Sequence, residues 1–224
     1  MQGEKSIYDK PIYQVLQYLY SIVLSNIYFL LSNILVLVYS IMVMIEPEAF
    51  SVFIFMLLLI PSGPAITALC STMGVLVREK EGNITKEYFN FYKRNFKKSI
   101  VLASIFTIGM FVCLLDYKFF INNGNLLGVI FIAISIYILI ISVYAFPIIS
   151  KIEIKTKELF VISFYYSIRR LPLTLLKVAL IGIAFLISSS INIVSVTFLF
   201  SIIVYIIMSC DNKMILELEE NMNK

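Results

Sequence analysis

The sequence predicts an all-α fold, a polytopic helical membrane bundle of about six transmembrane helices with two amphipathic basic segments. Three observations carry that prediction. Of the 224 residues 60% are hydrophobic and only 14% charged, with a mean hydropathy of +0.94. Eighteen Lys and Arg with fourteen Asp and Glu are too few to clothe a soluble domain of this length. The apolar residues fall in uncharged runs long enough to cross a hydrocarbon core of about 30 Å, and the cations collect between those runs.

The first uncharged run lies between Lys10 and Glu46. Residues 12–19 read as a lead-in near the membrane interface, and residues 18–45 as the first span. The run is too long for a signal peptide and lacks a small-x-small cleavage site. A Glu46-Pro47-Glu48 turn leads into the second span, residues 49–77, which carries Pro61, Ser62, Gly63 and Pro64 near its middle. Two prolines and a glycine within four residues interrupt the helical hydrogen bonds. In lipid the freed carbonyls need partners, so this break is expected to face the bundle interior.

Residues 78–98 form a basic segment and residues 99–115 the third span. A short turn rich in Asn and Gly follows, then the fourth span, residues 126–150, with Pro147 near its end. A second basic segment runs through residues 151–172. The uncharged stretch 178–210 would make a helix of about 50 Å, so the Ser188-Ser189-Ser190-Ile191-Asn192 cluster is read as a turn. That gives a fifth span at 171–187 and a sixth at 193–210. Lys177 is expected to snorkel to the interface from the first turns of the fifth.

With six spans and both termini cytoplasmic, Lys118 alone of the 18 Lys and Arg falls on an outer turn, as the positive-inside rule requires. The expected location is a bacterial plasma membrane, crossed many times. A single long tilted helix over 178–210, and hence five spans, is the alternative reading. Asn83-Ile84-Thr85 matches a glycosylation sequon, but in a segment placed inside the cell.

The stretch 84–98 reads as an amphipathic helix. Ile84, Tyr88, Tyr92 and Phe96 recur every four residues with Phe89 beside them, and Lys86, Lys93, Arg94 and Lys97 lie off the stripe. Such a helix lies on anionic lipid or docks a partner. Phe89, Tyr92, Arg94, Lys97, Arg169 and Arg170 are the candidates for that lipid or partner face. Thr85-Lys86-Glu87-Tyr88-Phe89 also parallels Thr156-Lys157-Glu158-Leu159-Phe160, as a tandem duplication would. The ending Arg169-Arg170-Leu171-Pro172 is similar to the coupling loop of bacterial ABC importer permeases. It lacks the upstream Glu-Ala-Ala and Gly, so the chain is not expected to be such a permease by itself.

The polar groups expected in the membrane interior are amides and hydroxyls: Asn26, Asn33 and Ser40 in one stripe, and Ser62, Thr67, Ser71 and Thr72 beside the helix break. They serve either as interhelical hydrogen-bonding groups or as the lining of a small polar cavity. No Asp or Glu is expected at membrane depth, which speaks against an ion-coupled transporter. The chain has no His, and Cys70, Cys113 and Cys210 show no metal-ligand spacing. No catalytic residues, metal, cofactor or nucleic-acid partner are expected, and the chain is read as non-enzymatic.

The first half resembles the YesL-like family of bacterial membrane proteins, a domain of unknown function. The resemblance rests on Asn26-Ile27-Tyr28-Phe29-Leu30-Leu31, on Pro64-Ala65-Ile66-Thr67-Ala68-Leu69, on Val77-Arg78-Glu79-Lys80-Glu81-Gly82, and on the aromatic-basic stretch ending Arg94-Asn95-Phe96-Lys97-Lys98. The family often has Trp in the first span, where this chain has Phe29. The resemblance implies an accessory role beside a carbohydrate ABC importer, and it brings no catalytic residues. The second reading is a self-contained channel or facilitator for a small neutral solute, built on the broken second span.

Overall fold

The structure, a computed structural model, describes residues 11–79, 83–190 and 193–222. Every regular element among them is helical: α1 Pro11–Ser32, α2 Ile34–Ile45, α3 Val52–Leu59, α4 Ser62–Glu79, α5 Ile84–Asn122, α6 Gly128–Lys151, α7 Thr156–Arg169, α8 Leu171–Ser190 and α9 Ile193–Met222. The all-α prediction holds for these residues. Three helices are long and apolar enough to cross a membrane, namely α1, α5 and α6. The α3–α4 pair makes a fourth if it is one bent span. Six crossings were expected; these four fall in the first four expected spans, and among the described residues α8 and α9 do not join them.

The expected first span, 18–45, is two helices. At Asn33 the side-chain Nδ2 donates to the Phe29 carbonyl at 2.8 Å, and the backbone N–H contacts both Phe29 and Leu30 carbonyls. A side-chain amide competing for a helical carbonyl bends the helix at that point. The chain then turns through Pro47–Ala49, a single 3-10 turn where the Glu-Pro-Glu turn was expected. The Tyr39 hydroxyl closes this hairpin, donating to the Ser51 carbonyl and accepting from the Ser51 N–H.

The break in the second span is present, as a 44° bend between α3 and α4. Pro64 sits in the first turn of α4, where a helix has no use for its missing N–H. From Ser62 to Leu76 nearly every residue of α4 is buried. This helix is the centre of the bundle and packs against α1, α5, α6 and α9. Gly63 permits the closest of these contacts: a Cβ there would meet the Ala103 Cβ and the Ser99 carbonyl oxygen of α5 at 2.6 Å.

The amphipathic stretch 84–98 is no separate surface helix. It is the first part of α5, 39 residues or about 58 Å long. Asn83 caps it, its side chain accepting from the Lys86 N–H at 3.2 Å. The sequon asparagine is therefore a helix cap. The parallel segment starts α7, there without a side-chain cap at Lys155, and the matched positions Tyr88 and Leu159 are both buried. Beyond the first turns the two diverge. Where α5 runs on through Ser99, Ile100 and Val101, the corresponding Arg170 separates α7 from α8, and Leu171 and Pro172 begin α8. Residues 191 and 192 of the expected serine-rich turn lie outside the described residues, while Ser188, Ser189 and Ser190 are helical.

Candidate functional site

The interior polar groups are held by bonds between helices. Thr67 donates to the Gly63 carbonyl at 3.0 Å and accepts from the Ser99 hydroxyl at 2.8 Å, tying the start of α4 to α5. Ser71 donates to the Ser150 carbonyl of α6 at 2.8 Å. Thr72 turns back on the Ala68 carbonyl of its own helix. Asn26 accepts from Ser201 of α9 at 3.0 Å, and its Nδ2, like the Ser25 hydroxyl, has no partner among the described residues. The expected stripe from Asn26 through Asn33 to Ser40 is interrupted at Asn33, between α1 and α2. No hydrogen bond joins it to the α4 set among the described residues. Ser62, Gly63 and Pro64 are buried, and Pro61 is exposed.

The structure places a charge pair where the sequence offered none. Lys177 of α8 and Asp211 of α9 meet at 2.7 Å, with side chains 1% and 0% exposed. The Lys177 ammonium also lies 3.4 Å from the centroid of the Tyr144 ring of α6, a close cation–π contact. The Tyr144 hydroxyl bonds Thr174 at 2.8 Å, and Thr174 donates to carbonyls of Ser167 and Arg170 left at the α7–α8 break. Asp211 Oδ1 has no partner among the described residues. Lys177 therefore does not snorkel. Asp211, one residue beyond the expected sixth span, lies inside the 30-residue α9. A carboxylate buried between helices was not expected, because the compensating lysine is 34 positions away and no local pattern reveals it.

The candidate lipid or partner face draws on two elements, the start of α5 and the α7–α8 break. On α5, Tyr92 stacks on Tyr88, Arg94 lies over Phe91 at 4.9 Å, and Phe89, Arg94 and Lys97 are exposed. Burial pushes the Tyr92 phenol above its ordinary value, and that of Tyr88 further. At the α7–α8 break, Arg169 stacks on Tyr165 and Arg170 pairs with Glu217 of α9 at 3.2 Å. No contact joins the two groups of residues among those described. Lys151 and Glu219 add a further ion pair between α6 and α9.

Residues 22–117 match the family described as "Protein of unknown function, DUF624". The match runs from within α1 to near the end of α5, less than half of the chain. It includes the α4 break and the aromatic-basic start of α5, and it excludes Tyr144, Lys177 and Asp211. No curated protein and no solved structure matches the chain. The long apolar helices are consistent with a membrane protein.

Proposed function

We propose that this chain is a non-enzymatic accessory component of a carbohydrate uptake system of the ABC type, in a bacterial plasma membrane. The reading takes the YesL-like resemblance as the finer assignment within the family of unknown function matched by residues 22–117. It keeps six crossings, with α8 and α9 as the last two and both termini in the cytoplasm. One observation carries the choice of a helper over a facilitator. Around the broken helix, Thr67 and Ser71 spend their hydroxyls on α5 and α6, so the polar groups hold helices together instead of lining a path.

The surface offered to an importer is the exposed cationic side of α5, formed by Lys93, Arg94 and Lys97 beside Tyr92. Of the residues first considered for this face, Arg170 is engaged with Glu217. The test is crosslinking of the tagged, natively expressed protein, followed by recovery and mass spectrometry. Recovery of an importer permease or its solute-binding protein is expected, and its loss on changing Arg94 and Lys97 to Glu. Recovery of the chain alone overturns the proposal. Flux of neutral solutes into liposomes holding only this protein, abolished when Pro61 to Pro64 are replaced by Leu and Ala, would then establish the facilitator reading.

A further inference from the structure

We infer that the cleft between α6 and α8 is a binding site for one anionic phospholipid, with an acyl chain between the helices and the phosphate at the α7–α8 break. The two helices meet over few residues and leave a slot of about 80 Å³. Its walls are Ile136, Leu139, Ile140 and Val143 from α6 and Val178 and Ile181 from α8. Several of these are exposed, so the slot opens on the outer surface of the bundle, where a bilayer would lie. From Thr174 to Ile181 it runs about 10 Å along α8. An open slot with aliphatic walls in that position suits a hydrocarbon chain.

The polarity of the site changes at one end only. Tyr144, Thr174 and Lys177 close the slot there, their polar atoms turned to each other and to Asp211. About one helical turn before Thr174 the chain has Arg170, at the α7–α8 break, and Arg169, the last residue of α7. Glu217 balances Arg170, and Asp211 balances Lys177. Arg169 is exposed and has no carboxylate within 4.0 Å among the described residues, so it leaves one net positive charge at the α7–α8 break, five residues before Thr174 of the slot. Tyr165 holds its guanidinium in place, with the ring centroid 5.4 Å away and the hydroxyl accepting a hydrogen bond. An apolar slot whose polar end lies one turn from a break carrying an oriented arginine matches a lipid with a chain at one end and a phosphate at the other. Basic pockets between membrane helices take anionic headgroups in this way.

Native mass spectrometry of the full-length protein in mild detergent, with equal amounts of phosphatidylglycerol and phosphatidylcholine of the same chains, tests the site. The anionic lipid should remain bound about fivefold more than the zwitterionic one, the weight of a single interfacial cation. Arg169→Gln, at an exposed position, should remove the preference and leave chain binding. Ile140→Trp fills the slot and should weaken both lipids. Ile181→Trp fills it from the other helix, in case the first variant fails to fold. Equal retention of both headgroups by the wild type, or lipid binding unchanged by a folded slot-filling variant, means only unspecific annular lipid and overturns the site.

Discussion

A lysine and an aspartate withdrawn from water are tolerable only together. The attraction between Lys177 and Asp211 at 2.7 Å offsets two large desolvation costs, and Tyr144 adds a polarisable face for the ammonium. Removing one partner strands the other as a buried charge, so Asp211→Leu should cost about 3–5 kcal/mol of stability. The double variant Lys177→Met with Asp211→Leu should recover most of that loss, because it removes both charges at once. Thermal unfolding of the four proteins of this cycle in one detergent measures the coupling, and additive losses would show that the pair is not coupled. Glu87 is a milder case. Its Oε2 atom is buried without a partner among the described residues. Burial first, and then Glu79, raise its pKa above the ordinary carboxylate value. A folded pKa above the unfolded one means stability falls as pH rises through that window. Glu87→Gln should therefore raise the unfolding midpoint at neutral pH, and the gain should vanish on acidification.

At the scale of elements, the chain is shaped by the places where helices stop or touch. Gly63 sets the α4–α5 distance, and its neighbours on α5 are a backbone carbonyl and a β-carbon that cannot swing aside. Gly63→Ala should cost about 1–3 kcal/mol by overpacking, read as a lowered unfolding midpoint. The α7–α8 break rests on Thr174, which links Ser167, Arg170 and Tyr144. Thr174→Val should cost about 1–3 kcal/mol by leaving buried partners unpaired. It should also loosen α8, seen as faster amide exchange confined to that helix. Some of this was legible in the sequence. Pro61 and Pro64 announce their own break, because a missing N–H acts wherever proline stands. The periodicity of Ile84 and Tyr88 marked an amphipathic helix, yet not that its apolar face would turn into the bundle instead of toward lipid. Asn33 and the Lys177–Asp211 pair gave no local signal. One depends on which carbonyl a short amide reaches, and the other on two helices meeting.

For the molecule as a whole, the number of crossings is the question on which its orientation depends. The α8–α9 pair bears on it, since Lys177 of α8 meets Asp211 of α9 and the two helices pack together. Two antiparallel helices that both enter the bilayer return the chain to its starting side, and the tail then shares the cytoplasm with the basic segments. A single tilted helix over the same stretch would carry residues 177 and 211 about 50 Å apart and leave each charge alone. The energetic penalty for that arrangement is the one argued above for an unpaired buried charge. Single cysteines at Lys118 and Lys213, in a background with Cys70, Cys113 and Cys210 replaced by Ala, separate the two. In intact cells an impermeant maleimide should label position 118 and leave position 213 untouched until the membrane is permeabilised. Labelling of both positions in intact cells would mean five crossings. That result would overturn the six-crossing reading, and the Lys177–Asp211 contact would then have to form between helices that do not both cross the bilayer.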